Sequence, residues 1–153
     1  MLILQENPLI ILPMSNLSLL QKFFLILLTS FLFIGASSTK NFYDEALIQF
    51  KKNDFDSSIK SLEKSIVFEP KHIESWILLG KSYSAIDNKR IANKYYKIAF
   101  NLKPENSELN FLLGEISYQL NLIEEYNKYL LNLEILCPYG CEDLSKLKKL
   151  KSN

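Results

Sequence analysis

Residues 76–104 read WILLGKSYSAIDNKRIANKYYKIAFNLKP. Small residues (Gly80, Ala92, Ala99) stand among large apolar ones, Asp87-Asn88 interrupts the run, and Pro104 closes it. Proline ends a helix because it lacks an amide donor and clashes with the preceding turn. Two helices are therefore expected, over about 73–85 and 89–102. Working outward, Pro70, Pro104 and Pro138 are spaced by 34 residues each, and each follows an apolar helical stretch: SIVFEP, AFNLKP and EILCP. Equal spacing of three such stops implies three equal units. The flanking units yield helices over about 41–52 and 55–68, and over 107–119 and 123–136. Turns fall at Asn53-Asp54, Asp87-Asn88 and Asn121, residues that tolerate turn conformations.

The middle unit spells W76-x-x-L79-G80-x-x-Y83, then A92-x-x-x-Y96-x-x-A99, then Pro104. In this pattern residues 39–139 resemble the tetratricopeptide repeat (TPR) family. The resemblance implies an all-α, right-handed superhelical solenoid of three helix-turn-helix units, 39–72, 73–106 and 107–139, with a capping helix over 140–153. Each unit buries its apolar faces only by stacking on its neighbours, and the cap closes the last exposed face. Glu142 and Asp143 open that cap and lysines end it, as a helix dipole favours, with Leu144, Leu147 and Leu150 on one side. Ala46, Ser58 and Ser65 of the first unit match Gly80, Ala92 and Ala99. The third unit keeps Gly114 but places Tyr126 and Leu133 at the other two small positions, so wider helix packing is expected there. It also carries Tyr118 one place beyond the usual tyrosine, and the first unit has Glu45 where leucine is usual. The family pattern assigns Trp76 to packing between helices.

Ahead of the repeats, residues 23–36, FFLILLTSFLFIGA, carry no charge; Lys22 precedes them, and Gly35 to Ser38 are small. These are the three parts of a secretory signal peptide. The run has 14 residues, whereas a membrane-spanning helix needs roughly 20. Residues 1–38 are thus expected to be a cleaved leader, with Met14 a better start for it than Met1. Its removal would leave the formal charge at +1, because Lys22 and Glu6 go together. The expected location is periplasmic or secreted, as for an exported bacterial protein. The alternative keeps the segment as an inner-membrane anchor that holds the repeats in the periplasm.

Composition narrows the chemistry. Apolar residues make up 48% and charged residues 23% of the chain, as in a globular domain. A net charge of +1 and a single arginine, Arg90, provide neither a clustered basic face for nucleic acid nor a bidentate anion clamp. No nucleophile–base pair, phosphate loop or paired carboxylates stand out, so neither enzymatic activity nor a cofactor is expected. His72, in the turn after Pro70, reads as a solvated imidazole, and the KLKKLK tail as a solvated helix end. Cys137 and Cys141 flank the turn before the cap. A structural zinc site needs four ligands, and two cysteines with one distant histidine do not supply them. A thioredoxin-like pair would be C-x-x-C in a βαβ context, whereas here the spacing is C-x-x-x-C with no strand pattern. An exported chain meets an oxidising compartment, so a disulfide is expected, with thiol–disulfide oxidoreduction as a remote alternative.

In the family the first helix of each pair lines a concave groove that takes an extended peptide or a helix. By resemblance the groove positions are Tyr43, Leu47, Phe50 and Lys51; Glu74, Ile77, Lys81 and Ser84; and Glu108, Phe111, Glu115 and Tyr118. Leu47, Phe50 and Ile77 are equally suited to burial between helices. The Lys/Asn clamp that some relatives use for a terminal carboxylate is missing, since Tyr43 and Leu47 occupy its first two positions. The resemblance implies a non-catalytic scaffold for a protein or peptide client.

Overall fold

The computed structural model describes Ser18, Leu19, Gln21 and residues 38–151. The chain divides into two units, residues 1–37 and 38–153. In the first, the backbone amide of Ser18 donates to Gln21 Oε1 at 3.2 Å. The signal-peptide and start-site readings lie outside the described residues. No helix among those described is long and apolar enough to cross a membrane.

The second unit contains α1 (Ser38–Lys51), α2 (Phe55–Phe68), α3 (Ile73–Ala85), α4 (Lys89–Leu102), α5 (Ser107–Gln119), α6 (Ile123–Leu136) and α7 (Glu142–Leu150). No strand occurs among the described residues. Each helix packs on the next in chain order, and α7 rests on both α5 and α6. The result is an all-α helical solenoid.

The 34-residue period is written into the backbone. Asn53, Asp87 and Asn121 have φ of 60°, 59° and 57°, the left-handed conformation that ends a helix. Behind them run the bonds Asp54 N–H to Gln49 O (3.0 Å), Asn88 N–H to Tyr83 O (2.8 Å) and Leu122 N–H to Ser117 O (2.8 Å), each closing a Schellman motif. Asn and Asp tolerate this conformation better than most residues, which is why the sequence could afford a reversal without glycine. Between units a second turn repeats: His72 N–H donates to Glu69 O, Asn106 N–H to Lys103 O and Gly140 N–H to Cys137 O, at 2.9–3.3 Å. Glu69, Lys103 and Cys137 each precede a proline and have left the helical region.

The core lies between helices as three successive clusters. Ala46, Leu62 and Leu79 centre the first; Ala92, Tyr96, Ala99, Leu109 and Leu113 the second; Tyr126, Leu133 and Leu147 the third. The expected close approach at Gly80 is real: a β-carbon there would lie 2.5 Å from Tyr96 Cδ1, so the tyrosine ring occupies the space a side chain would need. Trp76 spans the first two clusters, stacks on Tyr95 and donates from Nε1 to Pro70 O at 2.7 Å. Asn110, 34 residues later, repeats that bond to Pro104 O at 2.8 Å.

The third pair corrects one expectation. Its helices contact each other about as extensively as those of the middle pair, so they do not pack more widely. Tyr126 and Leu133 direct their bulk into the cluster shared with α7, where the Tyr126 hydroxyl donates to Leu147 O at 3.1 Å. Helix α7 stands in the register of a fourth first helix: Leu144 and Leu147 follow Asn110 and Leu113 by 34. Leu147 lies over Gly114, where a β-carbon would come within 2.6 Å of its Cδ2.

Candidate functional site

Three first helices converge on one concave slot. Tyr43 and Leu47 come from α1, Glu74, Ile77, Leu78 and Lys81 from α3, and Glu108 from α5; together they line a volume of about 140 Å³. The helices place them there because positions three to four residues apart share a helix face, and stacking aligns that face from unit to unit. The floor is apolar: Ile77 is only 7% exposed, while Leu47 and Tyr43 are half-buried. The rim is charged. Lys81 is paired to Glu108, joining α3 to α5. The Tyr43 ring meets that of His72 in a T-shaped arrangement, ring centres 5.0 Å apart. Burial raises its phenol pKa, and the carboxylates of Glu74, Asp44 and Glu108 raise it further.

Six of the twelve residues assigned to the groove line this slot: Tyr43, Leu47, Glu74, Ile77, Lys81 and Glu108. Phe50 instead packs in the first core cluster and meets Phe55 at 5.3 Å, ring edge to face. Lys51 is exposed at the end of α1, and Ser84 is half-buried near the end of α3. The other three third-unit residues go elsewhere. Phe111 and Tyr118 pack against the cluster that α7 completes, and Tyr118 lies 5.5 Å from the Tyr126 ring. Glu115 is half-buried; desolvation raises its carboxyl pKa, partly offset by Lys146 of α7. The reason is the cap: in a solenoid each first helix is covered by the next, and α7 covers α5.

His72 is not a free imidazole. It caps α3, its Nδ1 accepting from Ser75 N–H at 3.3 Å and lying 2.7 Å from Ser75 Oγ. Ser75 Oγ is 2.8 Å from Ser65 Oγ, and His72 Nε2 is 3.5 Å from Glu74. The sequence signal was present, since Asn106 holds the same register and caps α5 by accepting from Leu109 N–H at 3.0 Å. A serine, a histidine and a carboxylate in line suggest a hydrolytic triad, but Ser75 is wholly buried and no substrate carbonyl can reach it. No group of His, Cys, Asp and Glu among the described residues could hold a metal ion.

Cys137 ends α6 and Cys141 precedes α7; they lie at disulfide distance with α-carbons 5.7 Å apart, inside the range such a bond requires. In the two earlier turns His72 and Asn106 supply side-chain caps. Here the matching residue is Gly140, at φ 88°, and the sulfur link holds the turn where no side chain can.

The geometry defines a stacked helix-pair solenoid with a lined concave face. Solved structures of this architecture are TPR domains. The first TPR domain of Spaghetti (RPAP3), bound to the HSP90 peptide SRMEEVD, superposes with a TM-score of 0.68 at 18% identity, covering 78% of this chain and 96% of that one. The Yersinia enterocolitica type III secretion chaperone SycD, in complex with a peptide of the translocator YopD, gives 0.68 at 16% identity, covering 78% and 92%. MamA gives 0.68 at 22%, covering 75% and 63%. No protein-family model matches the sequence, and no curated protein matches it. The chain has the TPR fold.

Proposed function

We propose that this protein is a non-catalytic scaffold that holds a peptide or helix of a client protein in its concave groove, in the bacterial cell envelope. The observation that carries this reading is the convergence of α1, α3 and α5 side chains on one slot with an apolar floor and a charged rim. A volume of about 140 Å³ suits one anchoring side chain of a peptide; small-molecule sites usually run about 300–1,000 Å³. The peptide complexes of the RPAP3 and SycD domains support the same use of the fold. The test is a photo-crosslinking residue placed at Leu47 in one variant and at Lys94, on α4, in another. Leu47 should capture a discrete partner from envelope fractions that Lys94 does not. Equal labelling from both positions would defeat the groove reading.

A second reading, a membrane-anchored assembly factor, is favoured by the uncharged run at 23–36. The mass of the protein recovered from cells separates the two: cleavage removes residues 1–38, and anchoring retains them. Intact soluble protein in the cytoplasm would defeat both locations.

A further inference from the structure

The groove carries an electrostatic sign. Glu74 and Glu108 stand on its rim from different helices, and Lys81, the single cation among the described residues lining it, is already paired to Glu108. Glu74 meets only the His72 ring, Nε2 at 3.5 Å, so with that imidazole neutral one carboxylate equivalent remains unbalanced over an apolar floor of Leu47, Ile77 and the Tyr43 ring. Burial raises the Tyr43 phenol pKa, and the carboxylates of Glu74, Asp44 and Glu108 raise it further. Lys81 is about one-third exposed and its pairing with Glu108 spans neighbouring units, so an incoming cation can share that carboxylate without a buried charge being stranded.

Resting on the scaffold reading, we propose that the client segment is cationic and apolar: a large apolar side chain fills the Tyr43–Leu47–Ile77 slot while a Lys or Arg a few residues away docks between Glu74 and Glu108. An acidic segment is rejected. It would bring like charge onto the rim, where no unpaired lysine or arginine among the lining residues receives it, and like-charge juxtaposition suppresses wrong partners. The sign is opposite to that of the acidic peptide SRMEEVD held by the RPAP3 domain.

Three fluorescein-labelled amphipathic peptides of one length test this, sharing their apolar residues and carrying Lys, Gln or Glu at the polar positions; SRMEEVD is a fourth arm. Anisotropy titrations use the full chain. The Lys peptide should bind about tenfold more tightly than the Glu peptide at low salt, with the Gln peptide between them and the preference shrinking as salt rises. Glu74→Gln and Glu108→Gln should each weaken the Lys peptide several-fold and leave the Gln peptide nearly unchanged. Glu63→Gln, an exposed acid on α2 outside the groove, should change neither. Lys81→Ala should tighten the Lys peptide. Circular dichroism of each variant confirms that the fold is retained. Binding of the Glu peptide or SRMEEVD as tight as that of the Lys peptide overturns the charge inference, as does a preference that survives both Gln variants or falls equally with Glu63→Gln. If those peptides bind and lose binding on Leu47→Asp, the scaffold reading stands alone. If no peptide binds, both fall together.

Discussion

Gly80 and Gly114 occupy equivalent positions, yet their neighbours differ in a way that predicts different tolerance. A methyl at Gly80 meets the face of the buried Tyr96 ring, a rigid group that can yield only by moving as a whole. A methyl at Gly114 meets the end of the Leu147 side chain on a peripheral helix. Gly80→Ala should therefore cost about 1–3 kcal/mol through overpacking, and Gly114→Ala clearly less; urea midpoints at constant slope measure both. Ala92→Leu, at a position with no exposure, should cost as much as the Gly80 change. Glu115 provides a titration. Its folded pKa is raised above 4.5 by desolvation, so the native state holds its proton more tightly than the unfolded chain. That contribution is present at low pH and fades as pH rises from about 4.5 through the raised folded value. Glu115→Gln should accordingly raise the melting temperature at neutral pH and flatten this part of the stability curve. A lower melting temperature at neutral pH would mean the carboxylate is stabilised by Lys146 more than burial penalises it.

Helix α7 is the element on which the third unit depends. It buries Leu144 and Leu147 against α5 and α6, and its first turn is held by the Cys137–Cys141 link rather than by a side-chain cap. A loop this short restricts the unfolded chain by only about 2 kcal/mol. Reduction should therefore act locally: amides of α7 should lose protection in hydrogen exchange, while those of α3 and α4 change little. Unchanged protection of α7 would show that its packing through Leu144 and Leu147, the Tyr126 bond and the Lys148–Glu134 pair hold the cap without the link. Helix boundaries followed the 34-residue period closely because each is set by local chemistry: an Asn or Asp able to take positive φ, and a proline that stops the next helix. The role of His72 was harder to see, because histidine seldom caps helices and only its register with Asn106 pointed to it.

Across the whole molecule, the concave face is shorter than three first helices would suggest, since α7 takes the surface of α5 around Phe111 and Tyr118. Two substitutions separate binding from stability. Leu47→Asp, on the slot wall, should abolish client capture with a small change in unfolding midpoint. Phe111→Ala should lower stability by about 2–4 kcal/mol, toward the lower end of core phenylalanine losses because the ring is only partly buried, and leave binding at the slot largely intact. If Phe111→Ala reduces capture while the midpoint stays fixed, the groove extends beneath α7 and the cap must move to admit a client.

The sequence alone determined the repeat, its period and the helix and turn positions, because these depend on contacts within a few residues or on strict repetition. Of the residues lining the slot it named Tyr43, Leu47, Glu74, Ile77, Lys81 and Glu108 but not Leu78, and it added Phe50, Lys51 and Ser84, which lie outside it. Tertiary structure decided which of the remaining groove positions stay open. Phe50 turned to Phe55, and Phe111 and Tyr118 went under α7, since a half-apolar helix face is claimed by whichever neighbour removes more of it from water. It also decided that Lys81 meets Glu108, a pairing 27 residues apart that exists only because two units stack.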